Sequence, residues 1–182
     1  MTTVLNAKRL TLVCAALLCV SCGSGSNTES RVAITPPTQG ASSCTELNSL
    51  LIVSANDDGS HDGHGPANAI DGDLSNNSRW SSEGVGKAIT FDLGQTSTVR
   101  DLKIQWYQGN LRAFSFNVET SINNTEWLSV LANGVSSGTS AGLENVELTD
   151  SQARYVRITG LGNSSSSWNS IIETQIRGCG TL

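Results

Sequence analysis

Charge is scarce in this chain of 182 residues, because Asp, Glu, Lys and Arg together make up 15% of it, against about a quarter in typical globular proteins. So little charge is atypical of a coiled coil. Positive charge is the scarcer sign, and the formal net charge is −5. Proteins that bind nucleic acid usually carry a basic stripe that neutralises phosphates. An anionic partner would therefore need a local basic site on this chain.

Aromatic residues are also few, at 5% of the chain, whereas glycine occurs 18 times among many Ser, Thr and Asn residues. This composition is typical of short strands joined by polar turns, not of a helical bundle. The length allows one domain with appendages and excludes two large domains.

The N-terminus has the pattern of a secretory signal peptide, with Lys8 and Arg9 before the apolar run 10–20. That run is too short to span a bilayer, which needs about 20 residues. The segment 18–22, Leu-Cys-Val-Ser-Cys, resembles the lipobox of bacterial lipoproteins, which implies cleavage after residue 21 and lipidation of Cys22. We therefore expect an exported protein, lipid-anchored in the bacterial cell envelope at the outer membrane. An ordinary cleavage site followed by a free cysteine is the alternative.

Residues 22–43 are rich in Gly, Ser, Thr and Pro without apolar periodicity, which predicts a flexible tether. The folded domain is predicted to occupy residues 44–180. Once the signal peptide and the lipidated Cys22 are set aside, only Cys44 and Cys179 remain, so we predict a disulfide between the two ends of the domain. Closing so long a loop would stabilise the fold by about 4–5 kcal/mol.

From residue 44 onward, apolar residues repeatedly alternate with polar ones, as in Ile89, Phe91 and Leu93. The same alternation occurs in the segments 102–106, 114–118, 146–148, 156–158 and 172–176, and more weakly at 127–131. Turn signals separate these segments, and no segment keeps a helical period, so the pattern predicts an antiparallel β-sandwich or barrel. Trp80, Trp106 and Trp127 are predicted to pack in its core.

The densest polar stretch runs from Asn56 to Trp80 and contains an Asp71-Gly-Asp73 spacing. Such carboxylates suit a hard cation, but the segment is not an EF-hand, because Asn76 replaces the turn glycine and Ser82 replaces the final glutamate. A solvated cluster of Asx-turns is the alternative interpretation.

Four ordered motifs resemble the discoidin domain, also called the coagulation factor type C domain, and within it the family 32 carbohydrate-binding modules. They are Asn-Ala-Ile-Asp-Gly-Asp at 68–73 with Arg79-Trp80, Ile-Thr-Phe-Asp-Leu-Gly at 89–94, Arg-Tyr-Val-Arg-Ile at 154–158, and Trp-Asn-Ser-Ile-Ile-Glu at 168–173. The resemblance covers residues 48–178. It implies an all-β, eight-stranded, jelly-roll-like antiparallel sandwich of the galactose-binding type, with adjacent chain ends.

The resemblance also implies a structural Ca²⁺ that joins the early loop to a late glutamate. The implied ligand residues are Asn68, Asp71, Asp73, Ser78, Ile172 and Glu173. The stretch between Asp73 and Trp80 is two residues longer than the usual family spacing, with Asn76 and Asn77 as the insertion, which makes Ser78 the uncertain ligand.

A sugar site needs a planar ring and polar groups on neighbouring loops. The residues that we expect to bind carbohydrate are His64, Tyr107, Asn110, Arg112, Asn163, Trp168 and Asn169. Their loops are similar to those of modules attached to alginate and other polysaccharide lyases, which implies a uronate-containing ligand. The fork-shaped guanidinium of Arg112 suits the uronate carboxylate.

Each of these residues has a structural alternative. Arg112 could cap the sandwich by pairing with an aspartate, and His64 could be a turn residue. Tyr107 could cover an outward face, and Trp168 could be buried in a collapsed loop.

The sequence predicts no enzyme, because it has no nucleophile elbow and no HExxH motif. His61 and His64 are a partial transition-metal pair without a third soft ligand nearby. We therefore expect a non-catalytic protein that captures an alginate-like polysaccharide and presents it to separate lyases or import proteins. Adhesion through the same loops to a protein or another glycan is the alternative, and a small lyase is a third hypothesis that we do not favour.

Overall fold

Strands account for nearly all the regular structure of the computed structural model, which describes residues 46–180. The predicted signal peptide, the tether, Cys22 and Cys44 lie outside the described residues, so these predictions stay open. The strands are β1 (Asn48–Ser49), β2 (Ser54–Asp57), β3 (Trp80–Glu83), β4 (Lys87–Trp106), β5 (Phe114–Ser121), β6 (Leu128–Val135), β7 (Glu144–Asn163) and β8 (Trp168–Gly180).

The one helix of the described part of the chain is a 3₁₀ turn, Pro66–Ala69. A search of residues 46–180 found no helix with the length and apolarity needed to cross a bilayer.

The strands pair antiparallel in the order β1-β8-β4-β7-β5-β6, with β2 added on β4 and β3 added on β8. The two 20-residue strands β4 and β7 carry the topology. The pairing register between them shifts between Asp92 and Ser97 and again between Val99 and Asp101. Shifts of this kind bend a strand and let it pass from one layer of a sandwich to the other. The expected eight-stranded antiparallel β-sandwich is confirmed.

The core consists of the inward members of the predicted alternations. Ile89, Phe91 and Leu93 of β4 are buried, as are Phe114 and Phe116 of β5. β6 is the exception, because it lies at the sheet edge and buries only Val130 completely.

Two of the three tryptophans that the alternation assigns to the core are there. Trp80 and Trp106 are buried, and the Trp106 ring stacks on Phe114 with centroids 4.9 Å apart. Trp127 is only half-buried and lies outside the core, just before the edge strand β6. This prediction was therefore wrong, because the residue sits in the β5–β6 turn and has no inward strand face.

β8 brings the two ends of the domain together. Residues 48 and 49 of β1 pair with residues 178 and 177 of β8. The Sγ atom of Cys179 lies 3.3 Å from the carbonyl oxygen of Glu46, two residues after Cys44. The disulfide itself involves a residue outside the described range, so it stays a prediction.

Candidate functional site

Three loops meet at the end of the sandwich where β4 ends, β5 begins and β7 turns into β8. The first is the tight turn between β4 and β5. The Gly109 amide donates to the Trp106 carbonyl oxygen at 3.1 Å, and the Leu111 amide donates to that of Gln108 at 2.9 Å. A side chain at Gly109 would lie 2.7 Å from the Ser140 carbonyl oxygen, so the turn requires glycine there. This turn places Tyr107 and Arg112 beside each other.

The serine-rich loop between β7 and β8 is held by the side chain of Asn163. Its Nδ2 donates to the Trp168 carbonyl oxygen at 2.8 Å, and its Oδ1 accepts the amides of Ser165 and Ser166. Trp168 follows this loop as the first residue of β8 and is half-buried, so the loop has not collapsed over it.

Asn169 fixes the base of the same loop from inside. It is 2% exposed. Its Oδ1 accepts the Gly162 amide and its Nδ2 donates to the Gly84 carbonyl oxygen, both at 2.8 Å. The side chain is fully used within the protein, so it positions Trp168 and does not face a ligand.

The early loop contains two histidine–aspartate pairs. His61 Nδ1 lies 3.0 Å from Asp57 Oδ2, which also accepts the Trp80 indole N–H at 2.7 Å. His64 Nδ1 lies 2.9 Å from Asp62 Oδ1. Each histidine has its own carboxylate, so the described geometry does not join the two histidines to one metal.

The three loops surround a depression of about 190 Å³, which we call the binding depression. Its lining residues are Asp62, Arg79, Ser81, Tyr107, Arg112, Trp168 and Ser170. The structure thus brings together three of the predicted sugar-binding residues, Tyr107, Arg112 and Trp168. It leaves Asn110, Asn163 and Asn169 outside, and His64 reaches the rim only through Asp62.

The floor of the binding depression is made by the neighbouring, hydrogen-bonded strands β3 and β8. Ser81 of β3 and Ser170 of β8 are opposite each other in register, and their hydroxyl oxygens are 2.8 Å apart. Both side chains are buried. The aromatic and guanidinium groups therefore stand on a rigid hydroxyl-bearing base.

Two guanidinium groups flank the Tyr107 ring. The Cζ atom of Arg79 lies 4.4 Å from the ring centroid, and that of Arg112 lies 5.3 Å from it. These distances are within the range of cation–π contact. Tyr107 therefore orients both cations as well as lining the depression.

Neither arginine of the depression forms an ion pair within the described residues, although the charge of Arg79 helps to lower the pKa of Asp62. Among residues 46–180, Arg79 and Arg112 are the two arginines without a carboxylate within 4 Å, whereas Arg100, Arg154, Arg157 and Arg177 each pair with one. Arg112 donates to the side-chain oxygen of Gln108, not to an aspartate. The buried Nε atoms of Arg79 and Arg112 have no hydrogen-bond partner in the described chain. Both guanidinium groups therefore keep unused donor capacity, and a guanidinium is a strong donor to anionic oxygens.

Asp62 limits what can enter the binding depression. Although burial acts to raise its pKa, hydrogen bonds from the side chain and amide of His64 hold the pKa of Asp62 below its ordinary value. Asp62 is therefore ionised at neutral pH and can accept hydrogen bonds but not donate them.

Sequence reasoning missed Arg79, Asp62, Ser81 and Ser170. Arg79 was visible in the Arg79-Trp80 motif, where it counted only as a mark of the family. The two serines sit at positions of β3 and β8 whose pairing the sequence does not reveal.

A second cluster lies where the early loop meets β8. Ser78 Oγ donates to Asp71 Oδ2 at 2.5 Å, and the Gly72 amide donates to Glu173 Oε2 at 3.1 Å. Ser78 reaches Asp71 in spite of the longer loop, in which the Ser78 amide donates to the Ser75 carbonyl oxygen and Arg79 donates to that of Asn76.

The charges in this cluster fit a cation. Glu173 is 7% exposed. Burial, together with the nearby charge of Asp71, raises the pKa of Glu173, and the Gly72 hydrogen bond only partly offsets this. Among the described ion pairs, no Lys or Arg joins either carboxylate. Two such carboxylates and a hydroxyl on a buried base are ligands that Ca²⁺ accepts.

The other residues that the resemblance implies as calcium ligands are Asn68, Asp73 and Ile172. Ile172 is buried directly before Glu173, and Asp73 donates its amide to Asp71 Oδ1 at 2.8 Å. The Asn68 side chain donates to the Arg79 carbonyl oxygen at 3.1 Å. Residues 46–180 contain no group of three or more His, Cys, Asp or Glu side chains that could hold a metal.

Comparisons with known proteins identify the family to which the chain belongs. A model of the F5/8 type C domain matches residues 52–174. A search of curated proteins found no match. Among solved structures, the chain is 43% identical to the CBM32 of AlyQ in complex with 4,5-unsaturated mannuronic acid, with a TM-score of 0.67, over 71% of this chain and 97% of that one.

Two further structures resemble the chain. Truncated AlyQ with CBM32 and alginate lyase domains is 42% identical with a TM-score of 0.69, over 75% of this chain, but the chain spans only 34% of that protein. A pectin-binding carbohydrate-binding module shares the fold at 24% identity and a TM-score of 0.65, over 70% of this chain and 91% of that one. The chain belongs to the F5/8 type C (discoidin) domain family, as a carbohydrate-binding module of the family 32 type.

Proposed function

We propose that the chain is a non-catalytic protein that captures a uronate-containing, alginate-like polysaccharide in the binding depression. The observation that carries this proposal is the pair of guanidinium groups without an ion-pair partner, Arg79 and Arg112, beside the half-buried ring of Trp168. A uronate offers one carboxylate and an apolar ring face, which these groups complement. The AlyQ module supports the same ligand class, because its structure holds an unsaturated mannuronic acid.

In this proposal the indole of Trp168 supplies the stacking surface. The planar guanidinium of Arg112 donates two parallel hydrogen bonds to the carboxylate. The ligand carboxylate is expected to accept hydrogen bonds from the guanidinium groups while the ring face packs on the indole. Ser81 and Ser170 lie at the base and Asp62 on one side, where they can bind sugar hydroxyls. The depression is shallow and small, so we expect modest affinity.

The test is isothermal titration with alginate-derived oligouronates and with their carboxyl-reduced, neutral counterparts. The protein should bind the oligouronates and bind the reduced sugars much more weakly, and Trp168→Ala should abolish binding of both at this site. Arg100→Ala is a matched control, because Arg100 pairs with the exposed Asp150 away from the depression. Equal affinity for charged and reduced oligosaccharides would contradict the proposal.

We further propose that the protein holds one structural Ca²⁺ at Asp71, Ser78 and Glu173, with the backbone carbonyls of Asn68, Asp73 and Ile172 completing the ligands. The ion would join the early loop to β8 and so stabilise the wall that carries Arg79. It has no expected part in chemistry, and the isolated chain should release no product from alginate. Formation of unsaturated uronate by the purified chain would contradict the non-catalytic role.

The location of the protein is part of the same proposal. Export, lipidation of Cys22 and a Cys44–Cys179 disulfide would place the module on a tether at the cell envelope. Mass spectrometry of the mature protein tests all three, and an unmodified Cys22 would overturn the anchor.

A further inference from the structure

A second hollow lies at the opposite end of the sandwich, in the turn between β5 and β6. It has a volume of about 290 Å³. β5 begins beside the binding depression and runs eight residues, Phe114–Ser121, to reach this turn, which corresponds to about 23 Å of strand. We call it the distal hollow, and the residues used in the argument are Ile122, Asn123, Glu126, Trp127, Leu128 and Gln152.

Trp127 forms a fixed platform in the distal hollow. The Arg157 guanidinium carbon lies 4.0 Å from the centroid of its ring. Arg157 is held in turn by Glu119, whose Oε2 accepts its Nε–H at 3.0 Å. The indole is therefore oriented before any ligand arrives, which reduces the entropy lost on binding. The ring also borders the hollow, so part of it is open to a ligand.

The groups beside this ring offer both a donor and an acceptor. The indole N–H of Trp127 donates to no atom among residues 46–180, although the equivalent group of Trp80 is bonded. Gln152 uses its Nε2 to donate to Thr98 Oγ1 at 2.6 Å, and its Oε1 accepts no hydrogen bond from the described residues. The turn is itself rigid, because Asn123 Oδ1 accepts the amides of Thr125 and Glu126.

The charge of the distal hollow is opposite to that of the binding depression. Glu126 is the one ionisable side chain in its lining. The cation that contacts the Trp127 ring, Arg157, is paired with Glu119. A uronate carboxylate would meet an exposed carboxylate there, and the guanidinium beside the ring is already bonded to Glu119. The exposed side chains of Ile122 and Leu128 flank the ring and add apolar surface. An aromatic platform with an amide, an indole N–H and apolar edges suits a neutral sugar.

We propose that the distal hollow is a second carbohydrate site, which binds neutral pyranose residues by stacking on Trp127. With a site at each end, the module can hold two sugar chains, or two kinds of sugar, at once. Linked sites raise the apparent affinity for a polymer without any new contact. The module would then bridge a neutral glycan and an acidic one.

The experiment follows the tryptophan indole N–H signals in nitrogen-15 NMR spectra of the folded domain. The probes are methyl β-galactopyranoside, methyl α-mannopyranoside and galacturonate, and Trp→Phe variants assign the signals. We expect at least one neutral probe to shift the Trp127 signal with a dissociation constant in the millimolar range, and galacturonate to leave it unchanged. Trp168→Ala should not alter this response, because it removes only the uronate site.

Trp127→Ala removes the platform, and Gln152→Ala removes the free acceptor without touching the Arg157 contact. Either variant should weaken neutral-sugar binding at least fivefold while oligouronate binding at the other end stays the same. If Trp127→Ala fails to fold, Gln152→Ala alone decides the matter. Three results would overturn the proposal: no shift with either neutral sugar, an equal shift with galacturonate, or a Trp127 signal that responds only to protein concentration, which would assign the surface to self-association.

Discussion

Gly160 has no room for a side chain, and the substitution Gly160→Ala tests how the loop that carries Trp168 is held. A Cβ atom at residue 160 would lie 2.1 Å from Asn169 Oδ1 and 2.3 Å from its Cγ. The Asn169 amide is buried and cannot move without breaking its bonds to the Gly162 amide and the Gly84 carbonyl oxygen. Alanine at residue 160 must therefore displace the residue that anchors the β7–β8 loop.

The size of the effect follows from those contacts. Each of the two hydrogen bonds contributes about 1 kcal/mol, and a buried group left without a partner costs about 1–3 kcal/mol more. We expect Gly160→Ala to lower the free energy of unfolding by about 3–5 kcal/mol. For a domain of this size, that corresponds to a fall in Tm of roughly 5 °C or more. Denaturant and thermal unfolding followed by circular dichroism measure both quantities.

Gly142→Ala is the matched control, because a Cβ atom there meets nothing within 4 Å and the backbone has no positive φ. That variant should change stability by less than about 1 kcal/mol. A second check is the double variant Gly160→Ala with Asn169→Ala. Asn169→Ala removes the two closest contacts and leaves only its Cβ atom, 2.8 Å from the added Cβ atom. Much of the clash is relieved, so the two effects should be non-additive. Equal stability of Gly160→Ala and Gly142→Ala would refute the assigned role of Asn169.

Three other predictions concern the ligand, the metal and the pH. Arg112→Lys keeps the positive charge but loses the planar guanidinium that can bind both carboxylate oxygens. The affinity of this variant for oligouronates should therefore fall at least tenfold, or about 1.4 kcal/mol. Its affinity for carboxyl-reduced oligosaccharides should stay the same, and titration calorimetry measures both. Removing Ca²⁺ with a chelator should lower Tm and added Ca²⁺ should restore it, whereas Glu173→Gln should be insensitive to both; an unchanged wild-type Tm after complete removal would exclude the ion. Hydrogen bonds from Arg154 hold the pKa of Asp92 below its ordinary value of 3.8, so this pair stabilises the fold fully above about pH 5 and loses its contribution as the pH falls through the folded-state pKa. Asp92→Asn should therefore flatten the acid limb of the stability curve, and an identical acid limb would contradict the assignment.

The fold was predictable from the sequence because alternation reports burial directly. The inward positions of the segments 89–93 and 114–118 are buried as predicted, since one face of each strand meets the core. The edge strand β6 gave only a weak pattern, because an edge strand with two partly exposed faces has little apolar periodicity to show. The weak alternation from residue 127 onward predicts an inward face for Trp127, but this residue precedes β6 and lies in the turn, where strand parity does not apply.

The site was less predictable, because it depends on pairings between distant segments. Ser81 and Ser170 become neighbours only through the antiparallel pairing of β3 with β8. Asn169 differs from Trp168 by one position in a strand, and that single step turns its side chain inward to the loop base. A family motif names both residues but does not say which of the two faces a ligand.

The metal and turn interpretations of the early loop do not exclude each other. Asp57, Asp58, Asp62, Asp71 and Asp73 each accept a backbone amide two residues later, which is the Asx-turn pattern. In the case of Asp71, that hydrogen bond uses Oδ1 and leaves Oδ2 to face Ser78.

Turn formation therefore orients the carboxylate that the ion would need, at no extra cost in side-chain entropy when the ion binds. The same loop continues directly into Arg79, whose guanidinium lies over Tyr107. A chain of net charge −5 repels an anionic polymer, so the proposed uronate binding would have to come from these two oriented guanidinium groups at short range. If Ca²⁺ fixes the loop, its removal should weaken uronate binding even at temperatures where the sandwich stays folded.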